Sequence, residues 1–124
     1  VVAEKMVAGE GGSIINVSST ASIAPGAAEI PYAAAKAGVN NLTQSLAHSF
    51  APKVRTNCIM PGPFLTDISD AWSDDVKKAI AAIVPLGRAG EAEEIIGAAL
   101  FLASDAASYT NGAILKVDGG MAFQ

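Results

Sequence analysis

Cysteine, histidine and tryptophan each occur once in this 124-residue sequence, as Cys58, His48 and Trp72. A lone cysteine excludes an internal disulfide and a cysteine-rich metal site, so Cys58 is expected to fill a buried strand position. His48 has no second histidine or acidic cluster at ligand spacing, so no metal site is expected and His48 is placed on a helix surface. Basic residues are also scarce: eight Lys and Arg face twelve Asp and Glu, for a net charge of −4. That balance argues against nucleic acid and against an anionic membrane surface as partners. Neither a charged-then-apolar leader nor an apolar run of roughly 18 residues occurs, and a cytoplasmic location is expected. No repeat, low-complexity tract or linker divides the chain. Residues 1–124 therefore read as a single domain, and a hydrophobic fraction of 51% is ample for its core.

What is present alternates between two periodicities. Residues 1–8 have the look of a helix tail, and Gly9-Glu-Gly-Gly12 of the turn that stops it. Residues 13–18 form a short apolar run bounded by Gly and Ser-Thr, as expected of a parallel strand buried on both faces. A helix is expected over 31–50, with Pro31 tolerated in its first turn and Val39, Leu42, Leu46 and Phe50 as its core stripe. Residues 54–60 read as a second strand, stopped by Pro61-Gly-Pro63. Ser73-Asp-Asp75 opens a helix to about residue 84, with hydroxyl and carboxylates at its positive end. Gly90-Glu-Ala-Glu-Glu94 opens another in the same way. From 95 to 103 that helix is apolar nearly all round and is expected to be largely buried. A last strand covers 114–117. Strands alternating with helices imply an α/β fold with a parallel sheet.

Tyr32 and Lys36 stand four residues apart, on one face of the helix that begins at Pro31. An ammonium beside a phenol favours the ionised phenol, which suits a general acid/base. Ser19, thirteen residues before Tyr32 across a loop, is placed to offer a hydroxyl to the same substrate oxygen. By itself a Tyr-x-x-x-Lys pair is more often a solvated helix pair. Residues 61–66 (Pro-Gly-Pro-Phe-Leu-Thr) follow the carboxyl end of a strand, where open α/β sheets bind ligands. Glycine there permits close approach of a flat ring, while two prolines stiffen the turn. Alone, the same residues are an ordinary strand stop.

Six blocks in order change that balance. They are Gly12-Ser-Ile-Ile-Asn-Val-Ser-Ser19, Tyr32-Ala-Ala-Ala-Lys-Ala-Gly38, Asn57-Cys-Ile-Met-Pro-Gly62 with Thr66, Pro85-Leu-Gly-Arg88, Phe101-Leu-Ala-Ser-Asp105, and Val117-Asp-Gly-Gly120. Over about residues 12–120 the chain resembles the C-terminal half of the short-chain dehydrogenase/reductase family. The resemblance implies the C-terminal part of a Rossmann-like doubly wound sheet, about three strands with flanking helices. It implies an NAD(P)-dependent oxidoreductase interconverting a ketone and a secondary alcohol, with Ser19, Tyr32 and Lys36 catalytic and Ser18 as the fallback for Ser19. Tyr32, Lys36, Pro61, Gly62, Phe64 and Thr66 would hold the cofactor, NAD or NADP. Within that set the Phe64 backbone and the Thr66 hydroxyl would take the nicotinamide carboxamide. Partners would be a small carbonyl or alcohol substrate and further copies of the chain, as a dimer or tetramer. The helix bearing Tyr32 and the last strand would make the subunit contacts.

The family's opening pieces have no counterpart here. Members run to roughly twice this length and begin with a strand and a Gly-rich turn that cradles the pyrophosphate. That dinucleotide-binding half is absent, and with it the segment that selects NAD or NADP. The family's catalytic Asn is missing too, and Asn16, Asn40 and Asn41 are out of place to replace it. The chain alone is accordingly expected to be inactive. A non-catalytic remnant keeping the association surfaces is the alternative. An epimerase or dehydratase also uses Tyr-x-x-x-Lys, but the Asp118-Gly-Gly120 ending argues against one. Residues 67–84 correspond to a mobile lid in the family, with Trp72 either facing substrate or anchoring the lid. Arg88 is expected to fix its loop to carbonyls or an acidic side chain, and Asp118 to take backbone N–H groups in a turn.

Overall fold

The computed structural model describes residues 2–122. In order, the elements are α1 (Val2–Ala8), β1 (Gly12–Val17), α2 (Ile30–Phe50), β2 (Val54–Pro61), β3 (Phe64–Leu65), α3 (Asp74–Ile83), β4 (Gly90–Glu91), α4 (Ile96–Ala103) and β5 (Ile114–Val117). Val1, the first residue of the expected opening helix, lies outside the described residues. Strands β1, β2 and β5 form one parallel sheet in the order β1-β2-β5. The register pairs Gly12 with Val54 and Val17 with Ile59, then Cys58 with Ile114 and Pro61 with Val117. A two-residue parallel pair, β3 with β4, was not foreseen.

The central strand β2 is the least exposed element, with Val54, Thr56, Asn57 and Cys58 at 0% exposure. Strand side chains alternate between faces. Ile59 packs with Leu102 and Ala107, flanked by Ile15, Leu115, Val117, Ala98 and Ala99, so this face carries α4. Cys58 points the other way, towards Asn40 of α2. Helices on both faces shield the polar groups between them from water, so such groups, with Thr56 Oγ1 the exception among the described side chains, are expected to pair internally. Asn57 does this for the loop before β5: Nδ2 donates to Thr110 O at 2.9 Å and Oδ1 accepts from Ala113 N at 3.0 Å. Asn111 links that loop to both neighbours, accepting from Thr56 N and donating to Ala47 O.

Three expectations about burial need correction. Of the expected core stripe of α2, Val39, Leu46 and Phe50 are half-buried but Leu42 is 50% exposed, and the fully buried positions are Ala33, Thr43 and Ala47, with Lys36 and Asn40 half-buried between them. Small residues bring the helix close enough for Thr43 Oγ1 to accept from Asn16 Nδ2 at 3.0 Å. Leucines on that line would hold it off. Secondly, β1 is an edge strand of intermediate burial, with Val17 54% exposed, rather than a strand covered on both faces. Thirdly, α4 is not largely buried. Leu102 is at 0%, but Ile96, Leu100 and Phe101 are 50, 65 and 40% exposed. A helix lying on a sheet buries only the side that faces it, and no described element covers the other.

Other expectations hold. Pro31 sits in the first turn of α2, Ser73 Oγ caps α3 by accepting from Val76 N, and Cys58 is buried. Asn57→Ala should lower the unfolding free energy by at least about 2 kcal/mol, because a buried carbonyl and a buried amide both lose partners at about 1–3 kcal/mol each. Urea unfolding of the two proteins gives the difference. A loss under about 0.5 kcal/mol, the scale of an ordinary surface change, would contradict the assigned role.

Candidate active site

At its carboxyl end β1 and the loop after it are tied to α2 by three hydrogen bonds, and a fourth braces the loop itself. Lys36 Nζ donates to Val17 O at 3.0 Å, and Ser18 Oγ donates to Lys36 O at 3.0 Å. Ser22 Oγ donates to Ser19 O at 2.6 Å, and Asn40 Nδ2 donates to Ser22 Oγ at 2.8 Å. These contacts bring the Ser19 loop against the first turns of α2, where Tyr32 and Lys36 sit. Lys36 Nζ lies 5.7 Å from the centre of the Tyr32 ring, within cation–π range. Tyr32 itself is 47% exposed on the rim.

The two serines differ in what remains available. Ser18 is buried, and its hydroxyl is committed to a helix carbonyl. Ser19 is extended, at φ −162° and ψ 152°, and its Oγ accepts from Ala21 N at 3.2 Å to cap a 3₁₀ turn over Thr20–Ser22. An accepting hydroxyl keeps its own hydrogen to donate. Ser18 thus spends its hydroxyl hydrogen on the helix, whereas Ser19 accepts at its oxygen. Asn40 was missed as a participant. It continues the Tyr32, Lys36 spacing by another four residues, which was the available signal, and it holds the Ser19 loop through Ser22.

The second set leaves the same end of the neighbouring strand. Pro61 closes β2 opposite Val117, and Gly62 N donates to Val117 O at 3.0 Å. A Cβ on Gly62 would stand 2.8 Å from Asp118 Cα, so only glycine fits that approach. Asp118 makes the expected turn, its carboxylate oxygens accepting from Gly120 N and Ala122 N at 2.9 Å each. Phe64 and Leu65 pair with Gly90 and Glu91. Thr66 is exposed, and its backbone is held by Ser69, whose Oγ accepts from Thr66 N and donates to Thr66 O. Trp72, half-buried, shares with Leu65, Ile80 and Ala81 the wall of a cavity of about 200 Å³.

Away from that rim, burial pushes the Cys58 thiol up, towards the protonated and unreactive form. His48 is exposed. Among the described residues no group of three His, Cys, Asp or Glu is placed to hold a metal, and no helix is long and apolar enough to cross a membrane. Arg88 behaves as expected, donating to both carboxylate oxygens of Glu94 at 2.6 and 2.8 Å and to Ala89 O at 3.0 Å.

Residues 1–122 match the family model described as enoyl-(acyl carrier protein) reductase. The chain belongs to the short-chain dehydrogenase/reductase family. It is 44% identical over 122 residues to 3-oxoacyl-(acyl-carrier-protein) reductase FabG of Chlamydia trachomatis serovar D, covering 98% of this chain and 49% of that one. It is 43% identical over 116 residues to L-rhamnose 1-dehydrogenase (NAD(P)(+)) of Azotobacter vinelandii, covering 91% and 45%. A gluconate 5-dehydrogenase from Burkholderia cenocepacia, solved with NADP and tartrate, superimposes with a TM-score of 0.92 at 36% identity, covering 97% and 48%. The chain thus spans about half the length of the relatives it matches. Its parallel sheet with helices on both faces is that part of the family's Rossmann-like fold.

Arg88, and the Glu91 amide donating at 2.8 Å, hold the Glu94 carboxyl well below the usual range, at about 2. A depressed carboxylate contributes stability above its unfolded value, near 4.3. That contribution is lost as pH falls through about 2. The Glu94 side-chain carbon signal, followed in an acid titration, should show its midpoint near 2, and Arg88→Ala should move it up towards about 4.3. An unmoved midpoint would mean that Arg88 is not the cause.

Proposed function

We propose that this chain is the C-terminal half of an NAD(P)(H)-dependent oxidoreductase that interconverts a ketone and a secondary alcohol. In this reading residues 1–124 are part of one Rossmann-like domain whose dinucleotide-binding half lies outside the chain. The observation that carries it is the joining of Ser19, Tyr32 and Lys36 at the carboxyl end of β1 by Lys36 Nζ to Val17 O and by the Ser22 and Asn40 contacts. Oxidoreductase names among the matched relatives support the class, and the NADP in two solved neighbours supports the cofactor.

The residues present fit one end of that cofactor. Hydroxyls on Tyr32 and Thr66, the Lys36 ammonium and the backbone at Pro61, Gly62 and Phe64 suit a carboxamide and ribose hydroxyls. They do not fit the pyrophosphate, since no glycine-rich turn among the described residues leads from a strand into a helix. When bound, the nicotinamide supplies or accepts the hydride, which no side chain here can do. In ketone reduction the Tyr32 hydroxyl donates its proton to the carbonyl oxygen while Ser19 donates a hydrogen bond to that same oxygen. The Lys36 ammonium, 5.7 Å from the ring, stabilises the phenolate left behind. In alcohol oxidation the phenolate takes the hydroxyl proton back. Tyr32→Phe in the catalytically complete protein should lower kcat by about 10²-fold or more, the scale for losing a general acid/base. Undiminished turnover would end the assignment.

A non-catalytic remnant is the second reading, favoured by apolar surface left uncovered at Ile30, Leu42 and Leu100. An intact mass of 12.5 kDa for the native polypeptide would support it. Either way, the 124-residue chain should bind NADH and NADPH no more tightly than about millimolar by calorimetry, because the contacts at one end of a ligand seldom offset the entropy of binding it. Micromolar binding would show that the pyrophosphate contacts are not needed.

A further inference from the structure

Residues 61–66 are held on two sides against glycines at which an added Cβ would force a neighbour to move. At one side Gly62 abuts Asp118, as described. At the other, Gly90 N donates to Pro63 O at 3.0 Å and the Gly90 Cα lies against the Phe64 ring. A Cβ at Gly90 would stand 2.7 Å from Phe64 Cε1 and 2.9 Å from Cδ1, closer than carbons approach. Gly90 carries no left-handed backbone angle, so the requirement is for space alone. Its own position comes from its neighbours: Glu94 accepts from both Arg88 guanidinium nitrogens and from Glu91 N, closing a clasp around Gly90. Both partners are about half exposed. An exposed pair contributes little to stability. A two-point Arg–carboxylate fork with a third donor does fix orientation.

We infer that Arg88, Gly90 and Glu94 are positioning residues. They set the placement of Phe64 and Leu65 and, through them, the affinity of the 61–66 loop for nicotinamide, without touching the reacting atoms. This rests on the function proposed above. It assigns to the stretch before α4 a role in cofactor binding that neither the Ser19, Tyr32 and Lys36 set nor the loop's own residues account for.

The test is Gly90→Ala in the catalytically complete protein, read in three ways. Its crystal structure should show the Phe64 ring displaced from its native position. Its Kd for NADPH or NADH, by calorimetry, should rise by about 10-fold, as expected when a binding loop shifts by a fraction of an ångström, while kcat at saturation stays within about 3-fold. Phe64→Leu added to Gly90→Ala should recover most of the lost affinity by removing the ring that the new methyl meets. Arg88→Lys, which keeps the charge but not the fork, serves if Gly90→Ala does not fold, and should raise Kd with kcat preserved. Unchanged Kd in a folded variant, or an equal loss of kcat, overturns the inference while leaving the functional proposal standing. A wild-type protein that binds neither nucleotide overturns both.

Discussion

Strand β2 has to be dry, and the rest of the chain is arranged around that requirement. It is central in a parallel sheet with helices on both faces, so none of its amides or carbonyls can turn to water. Its ladder bonds to β1 and β5 satisfy most of the strand, and at Thr56 the Asn111 side chain and Gly112 N take the place of a strand partner. The Asn57 side chain satisfies the loop that must return the chain to β5. Parallel neighbours bring their carboxyl ends to one edge. That single consequence puts Val17, with the serines after it, and Pro61, with its stiff loop, on the same rim.

At that rim, chemistry depends on which groups are already committed. Ser18 and Ser19 are adjacent and identical in composition, yet one is a buried structural donor and the other a partly open hydroxyl. Alternation along an extended backbone separates them, since neighbours point to opposite sides. Lys36 serves two purposes from one nitrogen, donating to the end of β1 and lying near the Tyr32 ring. A cation anchored by a backbone carbonyl stays beside the ring. A solvated lysine would sample many rotamers and do so only part of the time.

Small residues recur wherever two parts of the chain must come close. Ala33 and Ala47 let α2 settle on the sheet. Gly62 lets the rim loop pass Asp118, and Gly90 lets it pass the start of α4. Packing at these points is close to contact distance, so added volume displaces a neighbour rather than filling a gap. The larger apolar residues point outwards at Leu42, Leu100 and Phe101. No described element covers them.

Element type and order were legible in the sequence because they depend on local features: Pro31 in a first turn, the apolar run ending in Ser-Ser, the Ser73 cap, and glycines closing β5. The Tyr32–Lys36 pairing was legible for the same reason, being one helix spacing, as was the Asp118 turn. The most buried positions of α2 were not legible. Alanine and threonine carry little hydrophobic signal, so Ala33, Thr43 and Ala47 were passed over for a stripe of which Val39, Leu46 and Phe50 are half-buried and Leu42 is exposed. The exposure of α4 and of β1 was likewise hidden, because an apolar segment reads as buried whether or not a partner layer exists to cover it. The Asn40 bond to Ser22, the Ser18 and Ser19 division, the β3–β4 pair and the Gly90–Phe64 contact were decided only in three dimensions. Each depends on the distance between segments far apart in the chain, and no spacing within one segment encodes that distance.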